Sequence, residues 1–167
     1  VDPCGWRRTI DSERQDIRTV SVIQVMDHLL HRRRILSTGR YGTSSSGNAY
    51  GWQLVFDLDA HTPDQRATLV ERYERLRSRA KVDPILIRSS ANCGIHLVYG
   101  LAIMRVNSIQ SLGKRIAQAA GLELGADVEV FPRDKHTIRL PFGLQSKLLN
   151  EDTLEPYENS LEECMYY

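Results

Sequence analysis

The sequence predicts an α+β fold in which mixed sheets are flanked by helices. Two kinds of segment, recurring along 167 residues, predict it. Apolar runs of strand length, such as residues 53 to 58, carry side chains with high β propensity. Other stretches, such as residues 63 to 81, space their apolar side chains as an amphipathic helix does. The length suits one domain with a sizeable core.

Basic side chains outnumber acidic ones over most of the chain. Residues 151 to 167 contain six acidic and no basic side chains, whereas the other 150 residues contain 22 basic against 15 acidic ones. Of the basic residues 18 are Arg, whose planar guanidinium matches phosphate oxygens in pairs. We therefore expect a nucleotide or nucleic-acid partner, and a domain over residues 1 to 150 followed by an acidic C-terminal tail or linker over residues 151 to 167.

Several classes of protein are disfavoured by the sequence. No apolar run approaches the roughly 20 residues of a membrane span, and nothing resembles a signal peptide. Cys4, Cys93 and Cys164 are far apart, which argues against a zinc knuckle and a disulfide framework. We expect a cytoplasmic protein with no membrane partner. Because the chain does not begin with Met, we also expect an excised or processed domain.

The first predicted helix covers residues 12 to 36, where apolar side chains alternate with charged ones at mostly helical spacing. Its last turn is rich in Arg, which suits a helix C-terminus as well as a phosphate contact. A loop rich in Gly and Ser follows over residues 38 to 48 and includes Arg40. This loop is a candidate to lie over a bound nucleotide, and it lacks the Lys of a Walker A motif.

Residues 53 to 59 are the most informative stretch. They form an apolar run that ends in Asp57 and Asp59, which should share one face because strand side chains alternate with period two. Two close carboxylates repel each other unless a cation or a basic group offsets the repulsion, so the pair suits a divalent cation. The alternative is a strand end whose aspartates are solvated or cap the next helix.

The next elements are predicted to be a helix and a hairpin. Thr62, Pro63 and Gln65 are typical of a helix start, and the helix should end near residue 81. Residues 84 to 88 and 94 to 100 then form two strands joined by a short polar linker. His96 lies on the second strand. A lone strand histidine is more often structural than catalytic, although its position after a polar loop favours a functional role.

The last elements predicted are a helix and two strands. The helix starts with Asn107 or Ser108 as its cap and stops at Gly121. Strands over residues 126 to 132 and 137 to 143 follow, on either side of a basic turn. Asp127 and Glu129 alternate with valines, so both carboxylates should point to one face. Carboxylates from separate strands suit Mg²⁺ or Mn²⁺, which prefer oxygen ligands.

In their order and spacing these motifs resemble those of the archaeo-eukaryotic primase superfamily of primase-polymerases, in the forms found in plasmids, phages and other mobile elements. Residues 54 to 59 look like its Asp-x-Asp motif, residues 89 to 97 like its Ser-x-His motif, and residues 127 to 132 with 138 to 143 like its third acidic motif. The resemblance covers roughly residues 36 to 145. It implies a catalytic core with an N-terminal α/β unit and an RRM-like palm.

The resemblance also implies a function and a set of site residues. The function is primer synthesis or extension by nucleotidyl transfer, from nucleoside triphosphates on a single-stranded or primed DNA template, with two Mg²⁺ or Mn²⁺ ions. The acidic tail would link the domain to a helicase or accessory domain of a longer chain. The metal ligands would be Asp57, Asp59 and a third carboxylate, for which Glu129 is the first choice and Asp127 the second. The nucleotide-binding residues would be His96, Lys135 and Arg139, with Arg40 from the preceding loop. Gly94 stands where the family commonly has serine, so a backbone N–H or Ser90 would serve instead.

Two other functions fit parts of the sequence. Residues 55 to 59 followed by Thr62 resemble the aspartyl nucleophile motif of haloacid dehalogenase-type phosphatases, although Thr62 lies one position too far along. That similarity leaves His96 unexplained. A non-catalytic DNA-binding module of a replication initiator also fits the basic body, and such a module would need no metal.

Overall fold

The computed structural model describes residues 6–10, 13–17, 35–38, 49–60, 65–88, 94–133, 138–139 and 146–157. Its strands are β1 (Trp6–Ile10), β2 (Glu13–Ile17), β3 (Ile35–Thr38), β4 (Tyr50–Leu58), β5 (Ile85–Arg88), β6 (Ile95–Arg105), β7 (Glu129–Phe131), β8 (Ile138–Arg139) and β9 (Lys147–Leu148). Its helices are α1 (Arg66–Ala80) and α2 (Val106–Ala119). Within this part of the chain, no helix is long and apolar enough to cross a membrane.

The strands form two sheets. The first has four strands in the order β2-β1-β3-β8, and the second has five in the order β7-β4-β6-β5-β9. Every ladder between these strands is antiparallel. The predicted α+β class is confirmed, as is the hairpin of β5 and β6. Parallel pairing, which the prediction of mixed sheets implied, does not occur in the described ladders.

Both ends of the helix predicted over residues 12 to 36 are strands. Residues of β2 pair with β1, from Trp6 opposite Ile17 to Ile10 opposite Glu13, and β3 pairs with the other edge of β1. Strand β2 pairs with the strand immediately before it in the chain, and this pairing has overridden the local helical spacing. Residues 18 to 34 lie outside the described part of the chain.

Two further boundaries differ from the prediction. Helix α2 begins at Val106 after an extended Arg105, and no side chain caps it, so the predicted caps at Asn107 and Ser108 lie inside its first turn. The strand predicted from residue 126 begins only at Glu129, because Gly125 has a φ of 85° and the chain turns there. Gly121, with a φ of 69°, follows α2 as predicted.

The five-stranded sheet has a helix-covered face. Leu54, Phe56 and Leu58 of β4 are buried in one apolar cluster with residues of both helices and of β6. Side chains of alternate residues point to opposite faces, so Val55 and Asp57 lie on the face away from the helices. The apolar periodicity of β4 therefore positions Asp57.

Gly113 allows α2 to approach the sheet closely. A Cβ at this position would lie 2.5 Å from Val130 Cγ1 and 2.6 Å from Leu54 Cδ1. Replacing a helical Gly by Ala normally stabilises by about 1 kcal/mol, whereas overpacking a core costs about 1–3 kcal/mol. We expect Gly113→Ala to be net destabilising, with a lower urea midpoint.

The matched control for that substitution is Gly100→Ala. Apart from its chain neighbours, no described residue has an atom within 4 Å of the Cβ it would add, so its urea midpoint should change much less than that of Gly113→Ala. A Gly113→Ala protein as stable as the unmodified chain would show that α2 can move away from the sheet at little cost.

Residues 146 to 157 pack against the domain. Strand β9 pairs with β5, and Leu149 belongs to the core cluster. Tyr73 of α1 donates a hydrogen bond to the carbonyl of Glu151 at 3.1 Å, and Arg66 of α1 forms an ion pair with Glu155. The first acidic residues after position 150 thus offset part of the positive charge of α1. A division of the chain at residue 150 stays a prediction, and residues 158 to 167 lie outside the described part.

Candidate active site

Three candidate site residues lie in one row across neighbouring strands. Asp57 of β4 is directly opposite His96 of β6 and directly opposite Glu129 of β7. Residues paired in this way lie on the same face of a sheet with Cβ atoms about 4.5–5.5 Å apart. The antiparallel register thus gathers two carboxylates and an imidazole on the face away from the helices.

Asp57 and His96 form the buried part of this row. Their side chains are 17% and 6% exposed, and His96 Nε2 lies 3.3 Å from Asp57 Oδ2. Asp57 Oδ1 and His96 Nδ1 are buried and have no hydrogen-bond partner among the described residues. A buried polar atom without a partner costs about 1–3 kcal/mol. A ligand that contacts Asp57 Oδ1 would therefore remove a penalty.

Glu129 forms the exposed part of the row. Its Oε1 lies 2.7 Å from Arg133 Nη1, and the two side chains are 36% and 44% exposed. The segment between them is held by Gln110 of α2, whose Nε2 donates a hydrogen bond to the carbonyl of Pro132 at 2.7 Å. The structure thus places a guanidinium beside the carboxylate that faces Asp57.

Asp127 lies in different surroundings. It belongs to the turn before β7, where its Oδ1 lies 2.6 Å from Arg72 Nη2 of α1. Its Oδ2 accepts a hydrogen bond from the backbone N–H of Glu123 at 2.9 Å. Both of its oxygens are therefore engaged, and the turn keeps it out of the ladder that aligns Glu129 with Asp57.

The other predicted site residues either lie outside the row or lie outside the described residues. Asp59 follows the last residue of β4 and is exposed, so it lies one step beyond the paired ladder. Arg139 is in β8, which pairs with β3 in the four-stranded sheet. Arg40, Ser90 and Lys135 lie outside the described residues.

The donors of the row suit a hard cation. Among the described residues no three His, Cys, Asp or Glu side chains lie close enough together to hold one ion. Two carboxylates nevertheless face each other across the ladder, and Oδ1 of one of them, Asp57, is buried without a hydrogen-bond partner among the described residues. Mg²⁺ is commonly bound by one or two carboxylates together with water and phosphate oxygens. Asp57 and Glu129 fit that description.

Arg133 and Gln110 were not assigned roles by the sequence. Arg133 belongs to the predicted basic turn, but its pairing with Glu129 depends on where β7 ends. Gln110 carries no sequence signal, because a glutamine on a helix is usually solvated. Only the packing of α2 against the β7 edge shows that it holds the Pro132 carbonyl.

The fold is similar to that of a solved primase-polymerase domain. The AEP domain of the primase-polymerase of cyanophage S-2L matches 95% of this chain, over 86% of its own length, with a TM-score of 0.55 and 15% sequence identity. No protein-family model matches the sequence, and no curated protein matches it. At this identity the likeness shows a shared α+β fold.

Proposed function

We propose that the chain is a metal-dependent nucleotidyltransferase of the primase-polymerase type, which synthesises or extends primers on a DNA template. The observation that carries the proposal is the row of Glu129, Asp57 and His96 across three adjacent strands. The similarity in fold to a phage primase-polymerase domain supports it. The surplus of Arg over the first 150 residues supports a polyanionic partner.

In this proposal Asp57 and Glu129 hold Mg²⁺ or Mn²⁺, with Asp59 at the rim of the site. A bound cation would stabilise charge on the attacking and leaving oxygens. His96 holds Oδ2 of Asp57 and leaves Oδ1 for a ligand. Burial of the pair excludes water from it, which strengthens these contacts.

The proposed reaction joins a nucleotide to a 3′-hydroxyl. The hydroxyl oxygen forms a bond to the α-phosphorus of a nucleoside triphosphate, the bond from that phosphorus to the bridging oxygen breaks, and pyrophosphate leaves with the electron pair. The hydroxyl proton passes to solvent. Positive side chains near the site would stabilise the transition state, because they are oriented before charge develops.

Ion pairs lower the net positive charge of α1. Arg66, Arg72, Arg75 and Arg77 each form an ion pair with an acidic residue. Template binding is proposed for the basic residues of the first 150 positions, and it should weaken as salt rises.

His96→Ala tests the proposal through nucleotide binding. Loss of the imidazole removes the contact at 3.3 Å to Asp57 Oδ2 and frees this carboxylate to rotate, which misplaces the oxygen proposed to hold the cation. We expect roughly tenfold or greater weakening of the binding of a fluorescent nucleoside triphosphate in Mn²⁺, measured by anisotropy. His96→Asn, which keeps an N–H donor, should lose less. Equal binding by all three proteins would contradict the role given to His96.

A further inference from the structure

Arg133 is paired with Glu129, a carboxylate that a bound cation would also need. Its Nη1 lies 2.7 Å from Glu129 Oε1, and Glu129 is opposite Asp57 in the ladder between β7 and β4. A carboxylate oxygen that accepts a hydrogen bond from a guanidinium is less available to a metal ion. The guanidinium also repels a cation at this position.

The contact is of a kind that exchanges readily. Both side chains are more than one-third exposed, and ion pairs with this exposure contribute about 0.2–1 kcal/mol. A divalent cation shared by Glu129 and Asp57 would in addition satisfy the buried Oδ1 of Asp57, which the guanidinium does not contact. The cation therefore offers Glu129 a better partner than Arg133 does.

The backbone beside Arg133 is anchored while its side chain is exposed. Gln110 Nε2 holds the carbonyl of Pro132 at 2.7 Å, so exchange needs only a change of the Arg133 rotamers. A guanidinium released next to the row would find its best new partner in phosphate oxygens, which it binds in pairs. Before its release the guanidinium lies beside Glu129, the carboxylate that the cation would share.

We propose that Arg133 changes partner during substrate binding, from Glu129 in the cation-free protein to the nucleotide phosphates in the loaded site. This inference rests on the proposed function and adds a nucleotide-binding residue to it. The exchange makes binding of the divalent cation and binding of the triphosphate mutually favourable. The cation displaces Arg133 from Glu129 and so frees it for the phosphates, and the triphosphate binds Arg133 and so frees Glu129 for the cation.

The test compares Arg133→Ala with Arg75→Ala. Arg75 is a matched control, since it also pairs with a glutamate four residues away, Glu71, at 2.6 Å and in an exposed position. Titration calorimetry with Mn²⁺ alone should show binding about 1.5–5-fold tighter in Arg133→Ala than in the unmodified chain, from the value of an exposed ion pair. Arg75→Ala should bind Mn²⁺ as the unmodified chain does.

A second titration uses a nucleoside triphosphate at saturating Mn²⁺. Arg133→Ala should then bind the nucleotide about tenfold more weakly than either other protein, because a charge-assisted contact to phosphate is lost. Mn²⁺ binding that is equal or weaker in Arg133→Ala, or unchanged nucleotide binding, would overturn the exchange while leaving the proposed function standing. Absence of Mn²⁺ binding in all three folded proteins would overturn the proposed function itself.

Discussion

Asp57→Asn is expected to reduce template-dependent nucleotide incorporation by at least about 100-fold, the scale of losing a group that stabilises transition-state charge. Asp57 is at the centre of the row, paired with His96 on one side and with Glu129 on the other. Among the described residues its buried Oδ1 has no hydrogen-bond partner, which suits it to a cation. An amide keeps the shape of the side chain and removes the negative charge.

The same variant should remain folded. Asn can still contact His96, and removal of one of two facing carboxylates relieves their repulsion, so the melting temperature should be unchanged or higher. Circular dichroism and primer extension on one preparation check both outcomes. Asp83→Asn, an exposed ion-pair partner of Arg77 between α1 and β5, is the control. Full incorporation by a folded Asp57→Asn protein would contradict the assignment of the site.

Glu129→Gln is expected to reduce incorporation to a similar extent, whereas Asp127→Asn should leave it nearly unchanged. Glu129 shares the ladder with Asp57, but both oxygens of Asp127 are engaged by Arg72 and the Glu123 N–H. Asp127→Asn should instead lower the unfolding free energy by about 1 kcal/mol, since it weakens a part-buried ion pair and a turn hydrogen bond.

Steady-state rates for both variants, with urea midpoints measured alongside, separate these expectations. Loss of incorporation in Asp127→Asn with full activity in Glu129→Gln would make Asp127 the third acidic residue of the site. That result would require the turn before β7 to rearrange when substrate binds.

Part of the sheet that carries the site could be predicted from local pattern. Period-two alternation in residues 53 to 58 and 94 to 100 places Asp57 and His96 on defined faces, and the short linker after residue 88 favours an antiparallel hairpin. The structure shows these strands in that arrangement, with Ile87 opposite His96. Local pattern was sufficient for this hairpin because β5 and β6 are close in sequence. The pairings of β4 with β6 and with β7, which form the row, join segments far apart in the chain.

The remaining elements depended on pairing and packing that the spacing of side chains does not show. Strand β2 looked helical by spacing, but its backbone pairs with β1. The choice between Asp127 and Glu129 depended on where a turn ends, and one residue of shift moves a side chain to the other face of a sheet. Arg133 and Gln110 acquire their roles through the β7 edge and α2, which a sequence pattern does not relate to each other.

The most direct measurement is incorporation of labelled nucleotide by the unmodified chain on a primed and on an unprimed DNA template, with Mg²⁺, with Mn²⁺ and with a chelator. We predict product that requires both the divalent cation and the template, and its appearance without a primer would distinguish a primase from a polymerase. A folded protein that gives no product under any of these conditions, yet binds DNA equally well when Asp57 and Asp59 are both replaced by Ala, would contradict the account and indicate a non-catalytic DNA-binding module.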